Sequence, residues 1–130
     1  MKDTGFTNME EIRQIVPKPL SQLFDLGGLE LVLEMLELFS RHAKQSFSKT
    51  ETYINEGNYA NVSRELHSVK SSLGNVGAEG MNEVVKEMEA LILNGETSEL
   101  MDKLFLLQQA LPDVESALEK YAHEMKSDES

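Results

Sequence analysis

The chain has 130 residues, with 23 acidic and 12 basic side chains, a net charge of −11 and no cysteine. This length predicts one domain with a single core, and the lack of cysteine excludes disulfides, thiol catalysis and thiolate metal sites. The acidic balance, without a basic patch, argues against nucleic acid or an anionic membrane as a partner. No apolar signal region or 18-residue apolar run occurs, so we expect a cytoplasmic protein.

Residues 1–19 are predicted to form an N-terminal segment with a loose start over 1–7 and one short helix. Asn8 followed by Glu11 resembles a capping box, and the helix would run from there to Val16 before Pro17 ends it. A second short helix is predicted over residues 20–26, ending at a pair of glycines at 27 and 28.

A long helix is predicted over residues 29–56. A core stripe accounts for most of its apolar residues, namely Leu29, Val32, Leu36, Phe39, Ala43, Phe47 and Ile54. Leu31, Met35 and Leu38 form a second apolar row that a single bundle seam does not need. Either the helix packs on two sides, or part of this row is a docking surface. His42 continues the row and is predicted to lie at the surface or to support other residues.

Three further helices are predicted over residues 58–76, 79–93 and 97–126, with Asn58 and Thr97 as N-terminal caps. Pro112 interrupts the last pattern without shifting its phase, which indicates a kink rather than an end. The short turns between long helices predict an all-α fold, an antiparallel up-down-up-down four-helix bundle over residues 20–126. One or two short N-terminal helices would cover one end, and residues 127–130 would be a frayed tail.

His67 is the most informative residue of the helix predicted over 58–76. It points away from the apolar stripe, and Arg64, Lys70, Ser71 and Gly74 share its side of the helix. Ser71 at i+4 and Gly74 at i+7 are small, so they leave a ring nitrogen accessible to a bulky reactant. Lys70 at i+3 supplies a compact positive charge that suits a phosphate oxygen. A nucleophilic histidine beside a cation suits reversible phosphoryl transfer.

The motif over residues 67–78, His-x-x-Lys-small-Ser-x-Gly-x-x-Gly-Ala, resembles the signature of histidine-containing phosphotransfer (HPt) domains of multistep phosphorelays. His67, Lys70, Ser72, Gly77 and Ala78 match it, and the resemblance covers about residues 20–125. Ser71 departs from the glycine that usually follows the lysine, but serine is small enough to keep the ring accessible.

The resemblance implies a phosphocarrier rather than an ATP-dependent kinase. His67 would accept a phosphoryl group from the aspartate of a receiver domain and pass it to another receiver, with Lys70 stabilising the group in transfer. The implied partners are response-regulator receiver domains and a hybrid sensor histidine kinase. Mg²⁺ is expected on the receiver, and the chain itself, a monomer, would need no cofactor.

Other interpretations remain open at this point. The chain could be an adaptor bundle that binds a partner through its long helix without chemistry, or a domain excised from a larger hybrid kinase. Metal binding has little support, because His42, His67 and His123 are far apart in sequence and no Glu-x-x-His motif is present. Glu83, Glu87 and Glu89 are predicted to form a solvated face, and Ser72 is predicted to have no role.

Overall fold

The computed structural model describes the backbone of residues 8–129 and the side chains of residues 8–125. The predicted loose start at residues 1–7 lies outside this range. The described chain forms five helices and no strand: α1 (Met9–Ile12), α2 (Lys18–Asn55), α3 (Tyr59–Val76), α4 (Glu79–Leu93) and α5 (Leu100–Glu129). α2 packs against α3 and α5, and α4 also packs against both, so these four helices form a bundle. The predicted all-α helical bundle is confirmed.

The bundle core is built from one apolar stripe on each long helix. α3 illustrates the pattern, since its buried residues follow each other at three- and four-residue spacing: Val62, Leu66, Val69, Leu73 and Val76. α5 continues its stripe through Pro112 and is helical to Glu129, so it extends over most of the predicted tail. None of the described helices is both long and apolar enough to cross a membrane.

α1 is a single turn, shorter than the helix predicted to reach Val16. Its start is as predicted, because the Asn8 side-chain oxygen accepts a hydrogen bond from the Glu11 amide at 2.8 Å. Beyond this turn, Val16 N–H donates to the Gly77 carbonyl at 2.8 Å, and Gly80 N–H donates to the Gln14 carbonyl at 3.0 Å. These long-range bonds replace the helical ones and fix the N-terminal segment on the turn between α3 and α4.

Two glycines permit this close contact. A Cβ atom on Gly77 would lie 2.3 Å from the Val16 carbonyl oxygen, and one on Gly80 would lie 2.1 Å from the Glu11 carbonyl oxygen. Gly77 also has a φ of 85°, a left-handed conformation that ends α3 and that glycine adopts most readily. At the corner between α3 and α4, Gly77 is therefore required for its backbone conformation. Both Gly77 and Gly80 are also required because a Cβ atom would not fit.

The predicted break at residues 27–28 is a kink within α2. Gly28 has non-helical angles, φ 73° and ψ −168°, while helix continues on both sides of it. At Gly27, an added Cβ would lie 2.7 Å from the Cβ of Leu31, so Leu31 packs directly over this glycine. The predicted short helix therefore joins the long one at an angle.

Candidate functional site

His67 lies near the middle of α3, on the side of the helix opposite the buried stripe. Its side chain is exposed, and so are Ser71 and Gly74 at the i+4 and i+7 positions. Within the described part of the chain the imidazole forms no hydrogen bond or ion pair. Both ring nitrogens are therefore accessible to a reactant that approaches from solvent.

Lys70 is held by a partner that the sequence analysis missed. Its ammonium lies 2.8 Å from Glu89 Oε1 on α4, in an ion pair whose side chains are 30% and 24% exposed. The prediction of a solvated acidic face is thus wrong for Glu89. It is also wrong for the half-buried Glu87, whose carboxylate lies 3.0 Å from the Lys103 ammonium of α5. Each carboxylate faces a lysine of a neighbouring helix because α4 packs between α3 and α5.

The Lys70–Glu89 pair keeps part of both side chains in contact with solvent. Ion pairs at the protein surface contribute about 0–1 kcal/mol to stability. A phosphoryl group carries more negative charge than one carboxylate, so it attracts the same ammonium more strongly. An anion of higher charge bound beside His67, one turn away, would therefore compete with Glu89 for this ammonium.

Arg64 lies one turn before His67 on α3. Its guanidinium donates to the Asn61 side-chain oxygen at 2.8 Å, and both groups are at the surface. The structure thus places this predicted supporting residue on the His67 side of the helix, with its donors directed towards the start of α3.

A groove of about 260 Å³ lies between α2 and α3, beside the helix face that carries His67. It is lined by residues of both helices: Met35, Leu38, Phe39, His42, Ser72, Asn75 and Val76. Two of the three predicted docking residues, Met35 and Leu38, are thus part of one surface, and Leu38 is 45% exposed. Leu31, the third, is half-buried over Gly27 and does not line the groove.

His42 connects the two helices within this groove. Its Nδ1 is hydrogen-bonded to Ser72 Oγ, and its Nε2 lies 3.2 Å from Ser68 Oγ. Ser72 therefore has a defined partner, although no role was predicted for it from the sequence. The two residues are thirty positions apart, so only the register of α2 against α3 brings them together.

The three histidines do not converge. His67 is exposed on α3, His42 is half-buried between α2 and α3, and His123 is exposed on α5. Among the described side chains, no group of three or more histidines, cysteines and carboxylates could hold a metal ion.

These observations define a helical bundle that presents an accessible histidine on one face. A family model described as Hpt domain matches residues 34–117, more than half of the chain. The chain therefore belongs to the Hpt domain family. Neither the search of curated proteins nor the search of solved structures returned a match.

The matched range contains His67, Lys70, Glu89 and all the residues that line the groove. Membership of the family implies phosphotransfer in two-component signalling, and interaction with receivers and kinases of such systems. Hpt domains are phosphocarriers without kinase activity of their own.

Proposed function

We propose that this chain is a phosphocarrier in a His-Asp phosphorelay and that His67 is the phosphorylated residue. The observation that carries the proposal is the exposed imidazole of α3, flanked by Ser71 and Gly74, inside the segment that matches the family. His67 would accept the group from the aspartate of one receiver domain and pass it to the aspartate of another.

The chemistry requires an unprotonated ring nitrogen. This nitrogen attacks the phosphorus of the aspartyl phosphate, the new N–P bond forms, and the O–P bond breaks as the aspartate carboxylate leaves. The onward step is the same displacement in reverse on a second receiver. Any Mg²⁺ would be held by the receiver, and the chain's own contribution is position and charge.

Lys70 would stabilise the phosphoryl group during transfer. Its position one turn from His67 supports this role, and Glu89 would keep the ammonium close to the site when no phosphoryl group is present. Ser71 and Gly74 would keep the ring accessible, and Arg64 would support the same face.

The receiver would dock beside His67 over the groove between α2 and α3. Met35 and Leu38 supply apolar surface there, and Leu31 would extend it towards the kink in α2. A transient contact needs only a small interface with a modest apolar centre. The net charge of −11 would steer the domain towards basic residues of the receiver. The receiver belongs to a response regulator or a hybrid sensor histidine kinase, and the domain acts as a cytoplasmic monomer.

Transfer from a phosphorylated receiver tests the proposed function. Wild-type protein and the matched control His123→Gln are expected to gain an acid-labile, base-stable phosphoryl group, while His67→Gln gains none and keeps its far-UV helicity. Labelling of the His67→Gln variant would overturn the assignment. Receiver binding without any labelling of the wild type would instead support the adaptor function.

A further inference from the structure

The His42 ring lies between two serine hydroxyls of α3. Nδ1 faces Ser72 and Nε2 faces Ser68, and these serines lie one turn apart on α3. A neutral imidazole carries one N–H donor and one acceptor nitrogen, and a hydroxyl can donate only one proton. The position of the ring proton therefore decides which serine can donate a hydrogen bond to another molecule.

The two tautomers have opposite consequences. With the proton on Nδ1, the ring donates to Ser72 Oγ, so the Ser72 hydroxyl proton can be donated into the groove, while Ser68 donates to Nε2. With the proton on Nε2, Ser72 must donate to Nδ1 and can only accept from a molecule in the groove. Ser72 lines that groove, and Met35 and Leu38 provide much of its apolar wall.

We propose that His42 is a positioning residue that, with its proton on Nδ1, fixes Ser72 as a hydrogen-bond donor to the docked receiver. This inference rests on the proposed function, because it takes a receiver domain as the occupant of the groove. We infer this occupant from position, since the groove is built partly by α3, and its lining residues Ser72 and Asn75 directly follow Ser71 and Gly74, which flank His67. A hydrogen-bond donor within an otherwise apolar interface favours binding of a receiver that presents an acceptor opposite it. A receiver without such an acceptor would leave the donor unpaired and bind more weakly.

Substitutions at position 42 can distinguish the roles of the two ring nitrogens of His42. The amide of asparagine reaches about as far as Nδ1, and the longer glutamine places its amide near Nε2. His42→Asn therefore keeps a donor for Ser72, and His42→Gln keeps a partner for Ser68. The experiment measures transfer from a phosphorylated receiver over a range of receiver concentrations, with His123→Ala as the control.

Loss of one neutral hydrogen bond is expected to raise the half-saturating receiver concentration about fivefold. This increase is expected for His42→Ala, His42→Gln and Ser72→Ala, while His42→Asn and Ser68→Ala stay close to the wild type. The double variant His42→Ala/Ser72→Ala is expected to show the same fivefold change as either single variant, because both remove one interaction. Ser72→Ala keeps the test valid if His42→Ala does not fold.

Ring ¹⁵N shifts of His42 supply a second readout that a merely structural role would not change. They are expected to show the proton on Nδ1 when the receiver is bound. Equal half-saturation in all variants, additive effects in the double variant, or a bound tautomer with the proton on Nε2 would overturn the inference. Failure of the wild type to accept any phosphoryl group would instead overturn the proposed function.

Discussion

Accessibility distinguishes His67 from His42, whose ring is enclosed between two helices. His42 is half-buried, and both of its nitrogens face serine hydroxyls. His67 is exposed, and the residues one and two turns ahead of it are serine and glycine. A nucleophile that must contact a phosphoryl group on another protein needs such an approach path, which small neighbours on a rigid helix provide.

Lys70 is expected to affect the rate of phosphoryl transfer rather than the stability of the fold. Lys70→Ala should slow transfer about 10–100-fold, or about 1.4–2.8 kcal/mol of barrier, because the charge near the phosphoryl group is lost. The free energy of unfolding should change by less than about 1 kcal/mol, since the pair with Glu89 is partly exposed. Stopped-flow transfer and urea unfolding measure the two effects.

Lys86→Ala is the matched control, because it removes a lysine from another surface ion pair, with Glu83 at 3.4 Å. Its transfer rate should match the wild type. Normal transfer in Lys70→Ala with a large loss of stability would show that this lysine is structural.

Ser71 is expected to matter through its size. It is exposed one turn ahead of His67, so Ser71→Tyr should cover the ring and block transfer, while Ser71→Gly should keep activity. The glycine variant should lose a few tenths of a kcal/mol of stability, roughly the difference in helix propensity. Transfer assays on both variants decide the point, and a fully active tyrosine variant would contradict it.

At the scale of helices, the corner between α3 and α4 holds the N-terminal segment in place. Gly77 and Gly80 let the backbone of residues 11–16 approach closely, and two backbone hydrogen bonds complete the contact. The glycines of this region therefore serve different purposes. Gly74 lies on the exposed side of α3 beside His67, while the other two are buried under the N-terminal segment.

Alanine substitutions should separate these purposes. Gly80→Ala should lower the free energy of unfolding by about 1–3 kcal/mol, because its Cβ would collide with the Glu11 carbonyl. Gly74→Ala should raise stability by up to about 1 kcal/mol, since its Cβ would meet only Asn82 Nδ2 at 3.8 Å. Urea unfolding of both variants measures this, and equal effects would show that the close approach at Gly80 costs nothing.

Leu38 tests the docking face on α2. Leu38→Glu should weaken receiver binding and slow transfer, because it places a charge at the apolar wall of the groove, and it should leave the bundle folded. Leu93→Glu is the control, because Leu93 is 88% exposed at the end of α4 and does not line the groove. Receiver-induced chemical-shift changes confined to residues 111–125 of α5 would refute this placement.

For the whole molecule, the sequence predicted the features that depend on neighbouring residues in the chain, namely helices and their caps. Apolar spacing placed the long helices, and Asn8 and Asn58 form side-chain caps as predicted. The sequence could not reveal contacts that depend on how helices align. The pairs Lys70–Glu89 and His42–Ser72 cross between helices, and after α1 the Val16 amide and the Gln14 carbonyl bond to the distant corner between α3 and α4. The side of α3 that presents His67 and the α3 residues around it were predictable, but the partners from α2 and α4 were not.

Mapping the phosphoryl group on the intact protein tests the central claim most directly. Trypsin cleaves after lysine and arginine, so the three histidines fall in separate peptides over residues 42–44, 65–70 and 121–126. After transfer from a phosphorylated receiver, mass spectrometry at alkaline pH is expected to find the group only on the peptide 65–70. Its loss in acid would assign it to His67 rather than Ser68. A group on either other peptide, or an acid-stable group on 65–70, would contradict the account.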